Sequence, residues 1–312
     1  MPILMDLADE IIIQGGVSMK RFLNETHFYG DNVHKAIPHT TIEGFITNFG
    51  SILRLHRISQ NSLAFQTHPS NKTKRFEHSL GTMKLAGEFF LYLTANTKEN
   101  TLDQMLKDFM EDLKIIYQKE KQDIVRHYPQ DGFDTYLDKI DRFNYHSIDT
   151  FLSRDVTFYS IYTPGNIKDN QRLLYAVLFQ GIRLAGLLHD VGHLPYSHAI
   201  EDVLKDLKND FETKEADSAT ISTSESNFLS TIRQYGKKGL ALHEEIGLKF
   251  LSLVQRKVVQ DIYDEFNDYP SSYDDKFKEE YISFLTLSFL IAKLILGEYK
   301  DKGVDSGRAL NL

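Results

Sequence analysis

The amino-acid sequence predicts an all-α protein built from many helices, with few or no short strands. Apolar residues recur at helical spacing in several long stretches, whereas few stretches alternate in the manner of a strand. Of the 312 residues, 41% are hydrophobic and 26% are charged, which is the balance of an ordinary globular protein and argues against wholesale disorder. The candidates for short strands are residues 11–13 and 156–162.

The helical pattern is clearest in a few separate stretches. The first places Phe76, Leu80 and Met83 on one broad face, and the second is apolar on most sides, which indicates a central helix. Pro195 comes just before the third and suits a helix start. The last is the most apolar, but it is too short to span a bilayer comfortably, so we expect a buried core helix. These predicted helices cover residues 76–95, 173–190, 197–207, 243–259 and 277–296.

Two segments look inserted into this helical core. Residues 97–170 are charged and carry an amphipathic pattern, which predicts a helical insertion. It would separate an N-terminal part of the core, residues 1–96, from the remainder, residues 171–312. Residues 208–238 are polar and rich in serine and threonine, so a mobile loop is predicted there.

Composition excludes several kinds of site. Lys and Arg number 36 against 44 Asp and Glu, and the net charge of −8 argues against a surface built mainly to neutralise nucleic-acid phosphates. The absence of cysteine excludes disulfides, thiolate metal sites and cysteine nucleophiles. Any metal must therefore be held by His, Asp, Glu or backbone oxygen. The acidic N-terminal segment has no basic start, which argues against a signal peptide and makes the cytoplasm the expected compartment.

Histidines and carboxylates are concentrated in LLHDVGHLPYSHAIE, residues 187–201. The run holds His189, Asp190, His193, His198 and Glu201. His189 and Asp190 are adjacent, and two adjacent residues can bind one metal ion where a helix ends, because the backbone there is less constrained. Gly192 provides this conformational freedom. His198 and Glu201 are three residues apart, so they share a helix face. Because apolar residues surround them, these groups must pair, bind a ligand or face a cleft.

Two further elements belong with this run. Arg75 and His78 lie at a predicted helix start in KTKRFEHSLG, where His78 could reach the same metal and Arg75 could contact a phosphate. His243 begins another predicted helix, and the N-terminal end of a helix favours anionic ligands.

The order RFEHSLG, AGLLHDVGHLPYSH and HEEIG resembles that of the HD-domain phosphohydrolases. The likeness is greatest to the deoxynucleoside triphosphate triphosphohydrolases, which include bacterial dGTPase-like enzymes and the animal SAM-and-HD-domain enzyme. DNVHKAIPHT and ILRLHRISQNS also resemble that subfamily. The resemblance covers roughly residues 30–95 and 171–250, and it implies an HD-domain core.

The resemblance also implies a role for each matching residue. His78, His189 and Asp190 would be metal ligands, and the ion would be Mn²⁺, Mg²⁺ or Fe²⁺. Arg75 and Gln60 would bind substrate phosphates and sugar. The catalytic group would comprise His193 on the phosphate side, the pair His198 and Glu201, and His243. The implied reaction cuts a dNTP into a deoxynucleoside and inorganic triphosphate.

The chemistry of the residues agrees with these roles. Imidazoles and a carboxylate can hold a divalent ion that polarises the α-phosphate. His198 can transfer a proton near neutral pH, and Glu201 can orient it.

The sequence departs from the family pattern near its C-terminus. The family's fourth metal ligand is an aspartate, and its motif is absent before the chain ends at GVDSGRALNL. We therefore expect a truncated sequence, with Asp301 and Asp305 as weak substitutes. Asn48 and His56 stand where the animal enzyme binds a guanine activator, and Asn61 stands where that enzyme has an apolar residue near the sugar.

Other functions stay open at this point. One alternative is an HD phosphohydrolase for nucleoside monophosphates or a nucleotide second messenger. Another is a non-catalytic protein that binds nucleotides or nucleic acid on an HD scaffold, although nucleic acid is not favoured. By resemblance we expect a homo-oligomer, a tetramer or hexamer, with room for a nucleotide activator and no membrane contact.

Overall fold

The computed structural model describes residues 27–31, 34–127, 156–217, 221–235, 239–268 and 275–299. It confirms the predicted all-α class, because long helices build the fold and the sheet has only two strands. The elements are β1 (His27–Asp31), β2 (Lys35–His39), α1 (Thr41–Ile46), α2 (Gly50–Leu53), α3 (Arg75–Asn96), α4 (Glu99–His127), α5 (Val156–Tyr162), α6 (Arg172–Leu188), α7 (His198–Ala216), α8 (Thr223–Ile232), α9 (Leu242–Asp268) and α10 (Asp275–Ile295).

Helix α6 is the centre of the fold, as its apolar sequence predicts. Nearly all of its residues are buried, and it packs against α3 and α10. The contact with α3 is close because Gly186 faces it. A methyl group on Gly186 would stand 3.0 Å from the Met83 Cα and from the Thr82 carbonyl oxygen. This approach brings the first turns of α3 beside the last turn of α6.

A buried ion pair ties the N-terminal segment to α6. Arg183 Nε and a terminal guanidinium nitrogen donate to the two carboxylate oxygens of Glu43, at 2.7 and 2.8 Å. Gln180 Nε2 donates to Glu43 at 2.8 Å, and the Thr40 backbone N–H donates at 2.9 Å to complete a capping box. Burial would raise the pKa of the Glu43 carboxyl, but the Arg183 guanidinium and its hydrogen bonds lower it below its ordinary value.

Helices α4 and α10 complete the core. The buried residues of α4 recur at intervals of three and four, and they join the same apolar cluster as α6. They begin with Leu102, Leu106, Phe109 and Leu113. The boundaries of the insertion at 97–170 stay a prediction. Residues 281–294 of α10 are all buried, and in the described part of the chain no helix is long and apolar enough to cross a membrane.

One of the two predicted short strands is wrong. Residues 156–162 form helix α5 and not a strand, because Phe158, Tyr159 and Tyr162 pack against the core with Phe179 of α6. Aromatic and β-branched residues have strand propensity, but tertiary packing overrides it here. The observed strands β1 and β2 were not predicted, and residues 11–13 lie outside the described residues.

The loop predicted at 208–238 is also wrong over most of its length. Helix α7 continues to Ala216, and α8 begins after the N-cap Ser222, whose side chain forms a capping box with Glu225. Serine three residues before glutamate is a helix-start signal that a reading of composition alone misses. Residues 218–220 and 236–238 lie outside the described residues.

Replacing Glu43 by Gln keeps the side-chain shape but leaves the Arg183 charge buried without its counter-charge. We expect the free energy of unfolding at pH 7 to fall by about 3–5 kcal/mol, measured by urea denaturation. The lowered pKa means that Glu43 contributes fully above its ordinary value of 4.5 and that the contribution is lost as the pH falls through the folded-state value. The difference in the free energy of unfolding between wild type and variant should therefore become smaller as the pH is lowered.

The control is Arg233→Met. Arg233 pairs with Glu212 and Glu215 on the surface, and its loss should leave the urea midpoint unchanged. Equal destabilisation by the two variants would contradict a special role for the buried pair.

Candidate functional site

All of the predicted site residues except Gln60 lie where four chain segments meet. These are the first turn of α3, the C-terminal end of α6 with the loop that follows it, and the first turns of α7 and α9. The structure places the residues in two adjoining groups. The HHD triad is His78, His189 and Asp190, and the His–Glu cluster is His193, His198, Glu201 and His243.

The HHD triad combines one residue of α3 with two at the end of α6. His189 Nδ1 lies 2.8 Å from the Gly186 carbonyl oxygen, so it donates its proton there and leaves the lone pair on Nε2. That Nε2 atom faces His78 Nε2 at 3.3 Å and an Asp190 oxygen at 3.3 Å. The other Asp190 oxygen lies 3.6 Å from His78 Nε2.

These separations fit a divalent metal. Donors that sit about 2.1 Å from one ion lie roughly 3.0–3.5 Å apart in tetrahedral or octahedral arrangements. Burial lowers the pKa of His78, which favours the neutral imidazole that a metal requires. The described residues thus offer two imidazole nitrogens and one carboxylate. Asp301 and Asp305, the weak candidates for a fourth ligand, lie outside the described residues.

Asp190 is the most crowded carboxylate of the site. Arg75 donates a hydrogen bond to it in a buried ion pair, and His193 Nε2 lies 3.4 Å from its other oxygen. Burial would raise the pKa of Asp190, but the hydrogen bond from His193 and the electrostatic influence of His189 and of the Arg75 guanidinium lower it well below its usual range. Asp190 is therefore a carboxylate throughout the neutral range.

Arg75 and Gln60, predicted to bind substrate, are neighbours. Arg75 Nε donates to Ser197 Oγ at 3.0 Å, and a terminal nitrogen of the same guanidinium donates to the Gln60 carbonyl oxygen at 3.3 Å. The side-chain oxygen of Gln60 is buried and makes no hydrogen bond within the described residues. Arg75 is thus held against Asp190 and the Gln60 backbone.

The His–Glu cluster adjoins Asp190 through His193. Glu201 contacts His243 Nδ1 at 2.9 Å through one carboxylate oxygen and at 3.1 Å through the other. His193 Nδ1 lies 3.5 Å from Glu201, whereas His198 Nδ1 lies 3.9 Å away, beyond a hydrogen bond. The side chain of His198 is 68% exposed, and that of His193 is 2% exposed. Glu201 therefore orients His243 and not, as we expected, His198.

Gly192 allows the HD loop, residues 189–197 between α6 and α7, to touch α9. A methyl group at Gly192 would stand 1.9 Å from the His243 carbonyl oxygen and 2.3 Å from the Gly247 nitrogen. No side chain fits there, so the two backbones meet and place His193 and His243 ring against ring, with centroids 3.9 Å apart. Gly192 is needed because only a residue without a side chain lets the two backbones come this close. The sequence had suggested only that Gly192 makes the backbone more flexible.

Arg54 supports the same loop and was missed by the sequence reasoning. Its guanidinium donates to the Val191 carbonyl oxygen and, at 2.6 Å, to that of His193. Burial lowers the pKa of Arg54 to about 10, and the group lies over the Phe250 ring of α9. Arg54 lies in a basic stretch of the sequence, and nothing in that stretch indicates a contact with residues so distant along the chain.

The turn into α7 has unusual backbone geometry. Tyr196 and Ser197 have φ values of 64° and 52°, which residues with a Cβ seldom adopt. The Ser197 hydroxyl accepts from Arg75 and donates to the Ser59 carbonyl at 3.3 Å, while Ser62 Oγ donates to the Tyr196 carbonyl at 2.9 Å. These contacts hold a strained turn that aims His198 outward.

Replacing Gly192 by Ala should separate α9 from the HD loop. We expect a loss of about 1–3 kcal/mol in the free energy of unfolding, since the backbone must shift to admit the methyl group. Gly165→Ala is the matched control, because nothing lies within 4 Å of a Cβ at that position. Urea denaturation of both variants checks this, and a Gly192→Ala protein as stable as the control would contradict the contact.

Comparison with known proteins adds no relative to this picture. The chain matches none of the protein-family models, and no curated protein matches its sequence significantly. The chemistry of the two groups must therefore be inferred from their own residues and contacts.

Proposed function

We propose that this protein is a metal-dependent phosphohydrolase that cuts deoxynucleoside triphosphates into deoxynucleoside and inorganic triphosphate. The observation that carries the proposal is the sharing of Asp190. One carboxylate lies in the HHD triad and also contacts His193 of the His–Glu cluster at 3.4 Å. A candidate metal site and a set of proton-transfer groups are thereby joined in one buried unit, which is the combination that hydrolysis of a phosphate ester needs.

The substrate class comes from the sequence resemblance to HD-domain dNTP triphosphohydrolases. The matching residues support it because Arg75 and Gln60 stand beside the triad, within reach of a group bound there. A homo-oligomer, a nucleotide activator and a cytoplasmic compartment belong to the same proposal and rest on the sequence alone.

His78, His189 and Asp190 would hold the divalent ion, whether Mn²⁺, Mg²⁺ or Fe²⁺. When bound, the ion supplies polarisation of the α-phosphate and a more acidic water. Arg75 would turn from Asp190 to the triphosphate, where its planar guanidinium can contact two oxygens at once. Gln60 Oε1, which lacks a hydrogen bond in the described residues, would accept one from the sugar.

The reaction consumes one water for each bond broken. The water oxygen becomes attached to the α-phosphorus, the bond from that phosphorus to the 5′-oxygen breaks, and the 5′-oxygen gains a proton. His243, oriented by Glu201 at 2.9–3.1 Å, suits uptake of the proton from water. His198 is exposed and can deliver a proton to the departing 5′-oxygen.

Product analysis tests this proposal. The protein would be incubated with each dNTP, singly and mixed, with Mn²⁺ or Mg²⁺ in water enriched in ¹⁸O, and the products separated by ion exchange. We expect deoxynucleoside and triphosphate, with the ¹⁸O in the triphosphate because attack is at phosphorus. Asp190→Ala should abolish turnover, and His243→Ala should lower kcat by about 10²–10⁴-fold.

His68→Ala is the matched control, since His68 is an exposed histidine whose ring contacts Thr67. Its activity should equal that of the wild type. Orthophosphate or an opened cyclic diester would point instead to the other HD phosphohydrolases. Binding of dNTP without turnover under any condition would show a nucleotide-binding protein and overturn the proposal.

A further inference from the structure

We propose that the His–Glu cluster is itself a metal site, separate from the HHD triad. It would bind a transition-metal ion through His193, Glu201 and His243, with His198 as an exposed fourth donor. This goes beyond the proposed function, which assigns these residues to proton transfer. The inference concerns ion binding, so it is tested without any substrate.

The first support is the convergence of the donor atoms. One atom from each of the four residues lies within 4.8 Å of all the others. The Nδ1 atoms of His193 and His243 lie 3.5 and 2.9 Å from the same oxygen, Glu201 Oε1. One loop and two helices contribute these residues, so the convergence is built by the tertiary fold and not by one helix face.

The second support is a pair of buried polar atoms without hydrogen bonds. His193 Nδ1 and Glu201 Oε1 are both buried and face each other at 3.5 Å. Neither has a well-aligned hydrogen bond within the described residues, although Oε1 also lies 2.9 Å from His243 Nδ1, whose hydrogen bond goes to the other carboxylate oxygen. Buried polar atoms without partners destabilise a fold, and such a pair needs an explanation. A cation between them would satisfy both at once.

The tautomer of His193 suits this role. Its Nε2 lies 3.4 Å from Asp190 Oδ1, so the ring proton is stabilised on Nε2. The Nδ1 lone pair is then free and directed at Glu201. A histidine that binds a metal through one nitrogen while giving the other N–H to a carboxylate is the usual arrangement around protein-bound zinc.

The donor set selects the class of ion. Three imidazoles and one carboxylate suit Zn²⁺, Fe²⁺ or Co²⁺ better than Mg²⁺, which prefers oxygen ligands. Because His198 is largely exposed while His193 is buried, the site would open to solvent on the His198 side. The ion would thus be reachable from solution, and His193 would link it to Asp190 of the HHD triad.

Metal stoichiometry tests the inference. The protein would be freed of metal by chelation, equilibrated with Zn²⁺, separated from free ion by gel filtration and assayed by mass spectrometry. A parallel Co²⁺ titration would be followed by visible absorption. We expect two equivalents for wild type, one for Glu201→Gln, one for His243→Ala, one for His78→Ala, and none for His78→Ala combined with Glu201→Gln.

His68→Ala serves as the control and should keep two equivalents. Circular dichroism would confirm that each variant is folded, and Glu201→Gln is the conservative change that alters charge without altering shape. One equivalent in wild type, lost in His78→Ala and kept in Glu201→Gln, would overturn the inference. One equivalent lost in Glu201→Gln and kept in His78→Ala would support it and count instead against the triad of the proposed function.

Discussion

The buried charge of Asp190 is the constraint on which the site depends. A carboxylate withdrawn from water is stable only when surrounding groups compensate it. Here Arg75 of α3, His189 at the end of α6 and His193 of the following loop all face it. His189 and His193 are near neighbours of Asp190 in the sequence, whereas Arg75 is distant, so the compensation of this charge joins the first turn of α3 to the end of α6.

The proposed function would build on the same constraint. Arg75 occupies one Asp190 oxygen, and a divalent ion bound there would take its place, because two positive groups cannot easily share that position. Binding an ion would release Arg75 towards the anion that accompanies it. The backbone contact at Gly192 and the clamp by Arg54 keep the histidines in place while such an exchange occurs.

Sequence reasoning succeeded where the signal was local. The periodicity of α6 predicted a central helix, and the spacing of residues 187–201 predicted which side chains gather near its end. It failed where a distant contact decides the outcome. Arg54 and the pair of Arg183 with Glu43 are charged residues in ordinary surroundings along the chain, and only the fold buries them. The orientation of Glu201 towards His243 likewise depends on how α7 meets α9.

Crystals grown with and without millimolar Mn²⁺ would test the central claim most directly. Anomalous scattering at the manganese edge locates the ion without assumptions about ligands. We expect a peak about 2.0–2.3 Å from His78 Nε2, His189 Nε2 and an Asp190 oxygen, with the Arg75 guanidinium displaced from that oxygen. An intact ion pair between Arg75 and Asp190, with no anomalous peak among the three ligands, would contradict the assignment of this site as a metal centre.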